Sequence, residues 1–424
     1  MTDIVDQDAR RRIARDHGTT LFVEAGAGSG KTSSLVSRVV SLVLAGADVT
    51  SIAAITFTEA AAAELRARVR RTLEEVEAGG EVDWVTDSPA ARASAAAALD
   101  RLDRATICTL HAFAQRLLLA APIEARLPPA VEVHDDISSS LRAEERWRRF
   151  EHQLLDDDAL ADTMRMSLTL GISSQDLQAV ADTLGQNWDL VEEARAAGLI
   201  EEDRAVDVDR SVLRVDRWID GIDEIEEMLG ACTDPEGDRL ARWVIDDALP
   251  LREALRAAAS DPYELVLLAT SGLKGPNRNA GTKGCWPDGS KPAVIEAGHA
   301  VIDAIAADVA ALTDQVLTRL GAEIALYTLD DADARRREGR LEFHDLLVLA
   351  RQVLRTERSV RQRFHQRYRH LLIDEFQDTD PIQIELAVRI AADPDHDTST
   401  PWQDVDVDEG RLFFVGDPKQ SIYR

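Results

Sequence analysis

Cysteine and long apolar runs are scarce in this sequence of 424 residues. Its three cysteines, Cys108, Cys232 and Cys285, lie far apart and form no C-x-x-C pair, so neither a disulfide framework nor a zinc site is predicted. No run of about 18 uncharged apolar residues is present, and we therefore expect no transmembrane helix and no membrane partner. The first stretch, MTDIVDQDARRRIARD, is too polar for a secretory signal, which favours a cytoplasmic protein.

Lysine is scarce too, and positive charge is in the minority. The formal net charge is −28, and Lys31 is the only lysine before Lys274. An acidic total argues against a nucleic-acid partner, because phosphate binding depends on Lys and Arg. However, a net total does not describe the distribution of charge, and a basic groove can lie on an acidic protein. The charge therefore excludes no partner, but it raises the question of why Lys31 is present.

Short apolar runs alternate with amphipathic stretches at both ends of the chain. The runs are TLFVEA (20–25), SIAAITF (51–57), ATICTL (105–110), RHLLIDEF (369–376) and RLFFVGD (411–417). Strands that alternate with helices predict a parallel sheet covered by helices on both faces. Between these flanks the segments are long, helix-like and rich in Asp, Glu, Arg and Ala. We therefore expect one α/β domain, 1–122 with 341–424, interrupted by a large, mostly helical insertion domain, 123–340.

One stretch of the expected insertion is irregular. Residues 270–292, TSGLKGPNRNAGTKGCWPDGSKP, combine Gly, Pro and Asn with three of the five lysines. Such a composition is typical of an exposed loop. The loop would lie either near a ligand or on a plain surface.

Residues 24–35, EAGAGSGKTSSL, lie between an apolar run and a helix-like run. A phosphate-binding loop needs inward backbone N–H groups, a lysine for the outer phosphates and a hydroxyl for Mg²⁺, all at a helix N-terminus. The residues that would form it are Ala25, Gly26, Ala27, Gly28, Ser29, Gly30, Lys31 and Thr32. Ala25 stands where the strict pattern has glycine, and a small residue still fits there. The alternative is a glycine-rich turn that binds nothing.

Two later segments place polar residues directly after an apolar run. In LLIDEFQDTD (371–380), Asp374 and Glu375 would lie at the carboxyl edge of the sheet, where ligands of α/β proteins bind. Asp374 would hold Mg²⁺, and Glu375 would orient or deprotonate the attacking water. In FFVGDPKQSIYR (413–424), Gln420 would contact the γ-phosphate and report its loss. Taken singly, these segments also fit a solvated strand end and a plain turn.

In their order along the chain, these segments resemble the motifs of superfamily 1 DNA helicases of the UvrD/RecB type. AGAGSGKT, LIDEFQDTD and VGDPKQSIYR carry the resemblance together with ITFTEAAAAELRARV, TICTLHAFAQRLL and LEFHDLL (341–347). The Glu-Ala-Ala version of the second motif is nearer to the RecB/AddA branch. The resemblance implies a RecA-like P-loop NTPase sheet that uses ATP and Mg²⁺. It also implies an ATP-dependent 3′-to-5′ helicase that acts on single-stranded DNA, or on duplex with a single-stranded tail, in repair or recombination.

The resemblance also assigns residues to adenine and to DNA. Gln7 lies where the family has its adenine-reading glutamine. The positions that would contact single-stranded DNA are Thr56, Phe57, Thr109, His111 and Tyr423. Aromatic side chains such as Phe57 and Tyr423 stack on bases without reading sequence, as a motor on any strand requires. Taken alone, His111 fits a core histidine.

Motors of this family bind ATP in a cleft between two RecA-like domains. The second domain supplies arginines that stabilise the phosphoryl group during its transfer. The sequence stops at Arg424 before such a domain. We therefore expect an incomplete motor that depends on the missing domain or on a partner subunit. An alternative is a truncated module that binds ATP and single-stranded DNA without unwinding. A P-loop protein of unrelated function, such as a small-molecule kinase, would explain the first motif but not the TFT, LHAF and QSIY segments.

Overall fold

The chain divides into two compact units. Unit 1 comprises Met1–Asp136 and Ala334–Arg424, and unit 2 comprises Ile137–Asp333. The structure is a computed structural model, and the residues that it describes are 6–26, 28–80, 82, 84–134, 136–200 and 212–420, without the side chains of 136–141, 159 and 420.

Unit 1 contains the parallel sheet that the sequence predicts. Its strands within the described residues are β1 (Leu21–Glu24), β2 (Ile52–Thr56), β3 (Thr106–Thr109), β4 (Glu132–Val133), β5 (Arg340–Leu341), β6 (His370–Ile373) and β7 (Leu412–Gly416). Five of them form one parallel sheet in the order β1-β7-β6-β2-β3. The other two, β4 and β5, form a short parallel pair that the sequence did not predict. All five of the short apolar runs in the sequence lie in the main sheet, where both faces of a strand can be covered.

The helices of unit 1 pack on both faces of this sheet. They are α1 (Gln7–Arg15), α2 (Lys31–Leu44), α3 (Glu59–Glu77), α4 (Pro89–Leu99) and α5 (Leu110–Ala120), followed after unit 2 by α15 (Phe343–Thr356), α16 (Arg358–Arg367) and α17 (Pro381–Ala391). Side-chain hydroxyls of Thr58, Ser88 and Thr109 cap α3, α4 and α5, and such caps satisfy backbone N–H groups at a helix start. Helix α2 differs, because it begins after Gly30 and no described side chain caps it.

The core of unit 1 has a layer on each side of the sheet. On one side, Val39 of α2 and Leu65 of α3 lie in one buried cluster with Phe413 of β7. On the other side, the ring of Phe113 on α5 lies 5.2 Å from that of Tyr368. The Tyr368 hydroxyl lies 3.2 Å from the Thr106 hydroxyl on β3, which gives this buried polar group a partner. The sheet is therefore held from both faces.

Unit 2 is built from helices. They are α6 (Asp136–Asp156), α7 (Asp158–Thr169), α8 (Ser174–Gly185), α9 (Trp188–Ala196), α10 (Val215–Leu229), α11 (Arg239–Trp243), α12 (Leu249–Ala258), α13 (Pro262–Thr270) and α14 (Lys291–Glu338). A π-helical turn lies at Val244–Ala248. The last residues of α14 belong to unit 1. Its core contains Trp147, Trp218 and Trp286. Across the described ranges, no helix is both long enough and apolar enough to span a membrane.

The irregular stretch 270–292 is mostly exposed, as its composition predicts, but its tryptophan side chain is buried. Trp286 is only 1% exposed and belongs to the core of unit 2. Its indole N–H donates to Asp238 Oδ1 over 3.3 Å, and the backbone N–H of Thr282 donates to the other oxygen over 2.6 Å. One aromatic side chain and one buried carboxylate therefore hold this exposed, turn-rich segment against the helices of unit 2.

Candidate active site

Three segments meet at the carboxyl edge of the sheet because β7 lies between β1 and β6. Glu24, at the end of β1, is in register with Gly416 at the end of β7, and Ala25 donates its N–H to the Gly416 carbonyl over 3.0 Å. Ile373, at the end of β6, is in register with Phe414. The loop before α2, the acidic pair after β6 and the turn after β7 therefore lie side by side, although the paired strand ends Glu24 and Gly416 are 392 positions apart in sequence (416 − 24).

The loop between β1 and α2 has a backbone that only glycine adopts without strain. Gly28 has φ +74° and Gly30 has φ +94°, both in the left-handed region. Ser29 closes the turn, since its hydroxyl donates to the Gly26 carbonyl over 2.7 Å. Helix α2 then begins at Lys31, and the N-terminus of a helix attracts anions. Ala27, which the sequence also places in this loop, lies outside the described residues.

Lys31 and Glu375 form an ion pair across this edge. The Lys31 Nζ atom lies 2.6 Å from Glu375 Oε2, and the two side chains are 12% and 35% exposed. Glu375 itself has φ +51°, an uncommon conformation for a residue with a side chain. Such strained positions cluster at functional sites. The pair joins the glycine-rich loop to the acidic segment. A glycine-rich turn that binds nothing, or a solvated strand end, would not need such a contact.

Asp374 is the second carboxylate of this segment. Burial, and after it the charge of Glu375, raises the pKa of Asp374 to about 6, although the Glu375 N–H and the charge of Lys31 oppose that rise. The Glu375 N–H donates to Asp374 Oδ1 over 3.0 Å. A half-buried carboxylate with which no described side chain forms an ion pair is suited to a divalent ion, and Mg²⁺ takes one or two carboxylates together with phosphate oxygens. Thr32, half-buried in the first turn of α2, is the second oxygen donor that fits Mg²⁺.

Two polar residues in this region were not assigned from the sequence. Gln377 donates to Glu375 Oε2 over 2.8 Å and accepts from the Asp417 N–H, also over 2.8 Å. Arg10 of α1 donates to the Ser29 carbonyl in the glycine-rich loop over 2.7 Å. Asp417 and Ser29 lie on other segments than Gln377 and Arg10, so spacing along the chain carries no signal for these two contacts.

The first three residues proposed to contact DNA lie around the ends of β2 and β3. Thr56 and Thr109 are paired in the register of these strands. Both hydroxyls are engaged within the chain: Thr56 donates to the Thr58 carbonyl over 3.1 Å, and Thr109 donates to Glu59 over 3.0 Å. Phe57 follows β2 directly and is 53% exposed. A large aromatic side chain is therefore presented to solvent at the edge where the other site residues lie.

His111 lies in the first turn of α5, with its ring 5.3 Å from that of Phe343 in an edge-to-face contact. Burial, and after it the neighbouring His344, lowers the pKa of His111. At neutral pH this side chain is therefore an uncharged hydrogen-bonding group. It would not supply a positive charge for a phosphate.

The remaining predicted residues lie at the ends of the described chain. Gln7 is exposed and begins α1. Gln420 ends the short helical turn Pro418–Gln420 that follows β7. Tyr423 lies outside the described residues.

Comparison with known proteins places the chain in one family. Residues 6–272 and 277–424 match the family model described as UvrD/REP helicase N-terminal domain. Over 98% of its length the chain is 23% identical to an ATP-dependent helicase/nuclease subunit of Pediococcus pentosaceus, and over 97% it is 26% identical to the protein of the same name from Latilactobacillus sakei. Over 95% of its length it is 26% identical to RecBCD enzyme subunit RecB of Escherichia coli.

The chain covers 34%, 48% and 34% of these three relatives, or about a third to a half of their length. The order of motifs, the parallel sheet and the family match agree. The chain belongs to the UvrD/REP helicase N-terminal domain family.

Proposed function

We propose that this chain is the ATP-binding motor portion of an ATP-dependent DNA helicase or translocase of repair or recombination. The 3′-to-5′ direction rests on the resemblance to the family. In this proposal the fold is a RecA-like P-loop domain, 1–122 with 341–424, interrupted by a mostly helical insertion domain, 123–340. The names of the relatives, which are ATP-dependent helicase/nuclease subunits and the RecB protein of the RecBCD enzyme, support this class of activity.

The observation that carries the proposal is the contact of 2.6 Å between Lys31 and Glu375. It brings the lone lysine of the first 273 residues to a carboxylate that follows a different strand. A charge that is largely removed from water needs a partner of opposite charge, and the partner of Lys31 is Glu375. Phosphate oxygens would serve Lys31 equally well, so the pair fits a site whose lysine changes partner when nucleotide binds.

Each residue of the site would have a separate role in ATP hydrolysis. Lys31 and the backbone N–H groups of 26–30 would bind phosphates, while Asp374 and Thr32 would hold Mg²⁺. When bound, Mg²⁺ neutralises phosphate charge and stabilises the transferring phosphoryl group. By exchanging Glu375 for phosphate oxygens, Lys31 would free that carboxylate to orient or deprotonate water. Gln420 would contact the γ-phosphate and respond to its loss, and Gln7 would contact adenine.

DNA would cross the carboxyl edge of the sheet beside the ends of β2 and β3. Phe57 is the residue best suited to stack on a base, because its ring is already exposed. Thr56, Thr109, His111 and Tyr423 would complete the contacts. The proposed partner is single-stranded DNA or duplex with a single-stranded tail, together with a second motor domain or a partner subunit.

Nucleotide binding by the purified chain tests the proposal. Mg²⁺-ATP should bind to the wild-type chain, and Lys31→Ala should weaken binding at least about tenfold, since a hydrogen bond to a charged group contributes roughly 1.5–3 kcal/mol. Lys283→Ala is the matched control, because this exposed lysine lies in unit 2. Hydrolysis is then followed with and without a poly-dT oligonucleotide.

Hydrolysis that the oligonucleotide stimulates, and that Lys31→Ala abolishes, would support a DNA-dependent motor. Lys31-dependent binding of ATP and of the oligonucleotide with little turnover would favour a binding module that does not unwind. Equal ATP affinities for the wild-type and Lys31→Ala chains would refute the proposed nucleotide site. Thermal unfolding of both variants shows whether the fold survives the substitution.

A further inference from the structure

The side chain of Gln377 lies between two strand ends. Its Nε2 atom donates to Glu375 Oε2 over 2.8 Å and to Asp378 Oδ2 over 3.1 Å. Its Oε1 atom accepts the backbone N–H of Asp417 over 2.8 Å. The acidic segment after β6 is thereby joined to the first residue after β7.

The orientation of this amide follows from the chemistry of its neighbours. Ionised carboxylates only accept hydrogen bonds, and a backbone N–H only donates. Turning the amide over would place its oxygen against the carboxylate of Glu375 and its NH₂ group against the Asp417 N–H. Only the observed orientation satisfies both neighbours at once.

Gly416 makes room for this contact. A Cβ atom at position 416 would lie 2.8 Å from Gln377 Oε1 and 3.2 Å from its backbone nitrogen. Both distances are shorter than ordinary van der Waals contact, so any other residue there would displace the Gln377 segment. A glycine at the end of β7 and a glutamine after β6 therefore form a matched pair.

We propose that Gln377 is a positioning residue that relays the state of Glu375 to the turn after β7. The proposal rests on the proposed function, since it assumes that Lys31 binds phosphate. It assigns Gln377 no contact with the nucleotide. Its role is to hold Glu375 in place and to transmit a change at that carboxylate.

The relay follows from the sharing of one oxygen atom. Lys31 Nζ and Gln377 Nε2 both donate to Glu375 Oε2, over 2.6 and 2.8 Å. Once Lys31 binds a phosphate oxygen instead, the Glu375 carboxylate loses its countercharge but keeps Gln377 as a donor. The bond from Gln377 to the carboxylate strengthens, and because hydrogen bonds in a chain polarise one another, Oε1 becomes a better acceptor for the Asp417 N–H.

The change at the Asp417 N–H affects the turn after β7, which leads to Gln420. Asp417 Oδ1 accepts the N–H of Lys419 over 3.1 Å, and Lys419 lies in the short helical turn that ends at Gln420. A tighter bond at the Asp417 N–H therefore acts on the turn that presents the proposed γ-phosphate contact. The Gln377 side chain thereby couples nucleotide binding at the loop before α2 to the conformation of the segment after β7.

Hydrogen–deuterium exchange of residues 413–420, with and without Mg²⁺ and a non-hydrolysable ATP analogue at pH 8, measures the relay. Gln377→Glu can still accept from Asp417 but cannot donate to Glu375, and Gln377→Met has neither function. In the wild-type chain we expect the analogue to slow exchange at Asp417 by at least about threefold. In both variants this slowing should disappear, while affinity for the analogue changes by less than about threefold.

Gln362→Met, an exposed glutamine on α16, is the control and should behave as the wild-type chain. A normal response to nucleotide in Gln377→Glu, or a loss of affinity of about tenfold or more in both variants, would overturn the relay. A wild-type chain that binds the analogue without slower exchange at Asp417 would overturn the relay alone. A wild-type chain that binds no analogue would instead refute the proposed function.

Discussion

Two carboxylates stand side by side at the candidate site, but their surroundings differ. Glu375 has Lys31 and Gln377 as donors to one oxygen. Asp374 receives the Glu375 N–H, and its pKa is raised to about 6 by burial and then by the charge of its neighbour. At neutral pH Asp374 is therefore ionised at a free-energy cost, which a bound cation would remove. The side chain suited to hold metal is also a source of instability when metal is absent.

Asp374→Asn should stabilise the chain free of nucleotide and metal. A folded-state pKa near 6 against 3.8 in the unfolded chain means that Asp374 favours folding only when protonated. That contribution is complete below about pH 4 and is lost as the pH rises through 6. We expect Asn to raise the free energy of unfolding by on the order of 1–2 kcal/mol at pH 8, and by little at pH 4. Urea unfolding in EDTA at both pH values measures this.

Asp404→Asn is the control for this prediction, because Asp404 is exposed in unit 1 and its substitution should change stability by less than about 0.5 kcal/mol. Equal stability of the wild-type and Asp374→Asn chains at pH 8 would contradict the burial argument.

Helix α1 is held against the site from both ends. Arg10, in its second turn, donates to the Ser29 carbonyl of the glycine-rich loop over 2.7 Å. At the other end Arg38, buried on α2, donates to the carbonyls of Ile13 and Asp16. A helix placed in this way stiffens a loop whose glycines would otherwise leave it mobile. The element that carries Gln7 is thus also a support for the residues around Lys31.

Arg10→Ala should weaken nucleotide binding without unfolding the chain. It removes one charge-assisted hydrogen bond to the loop, and we expect ATP affinity to fall about threefold to tenfold. Arg11→Ala is the matched control, because Arg11 is exposed and bonds only to Asp8 of the same helix among its contacts described in the structure. Fluorescence titration with a labelled ATP analogue measures the affinity. An affinity loss in Arg11→Ala equal to that in Arg10→Ala would show that charge alone, and not the contact with Ser29, is responsible.

The two units have separate hydrophobic cores, and the core of unit 2 includes a buried carboxylate. Asp308 on α14 is 1% exposed and accepts from the Trp218 indole over 2.9 Å and from Arg214 Nε over 3.1 Å. A buried charge is tolerated only when it is paired and hydrogen-bonded. The network connects α14 to α10 and to the residue before it, so it orients the longest helix of the unit.

Asp308→Ala should destabilise unit 2 by roughly 1–3 kcal/mol, since it leaves the buried Trp218 N–H without its acceptor, whereas the Arg214 side chain is 56% exposed and remains solvated. Asp303→Ala, an exposed aspartate on the same helix, should change stability by less than about 0.5 kcal/mol. Urea unfolding monitored by tryptophan fluorescence compares the two variants. Equal destabilisation by both would show that loss of negative charge, and not loss of the buried network, is the cause.

Local sequence predicted the elements of unit 1 well for a physical reason. Each strand run is short, apolar and followed at once by polar or capping residues, so the end of β2 at Thr56 and the end of β6 at Ile373 are marked by the residues themselves. Patterns of this kind act within one turn or one strand. The burial of Trp286 could not be predicted in this way, because it depends on a contact with Asp238, 48 residues away in sequence.

By itself, the sequence determined that a glycine-rich loop precedes a helix, and that Asp374 and Glu375 follow a buried strand. Those features depend on residues within a few positions of one another. Only the tertiary structure decided that β7 lies between β1 and β6, and so which side chains share the site. The pair Lys31–Glu375 and the bridge through Gln377 arise from that strand order, because hydrogen bonds and charges act through space and carry no periodicity along the chain.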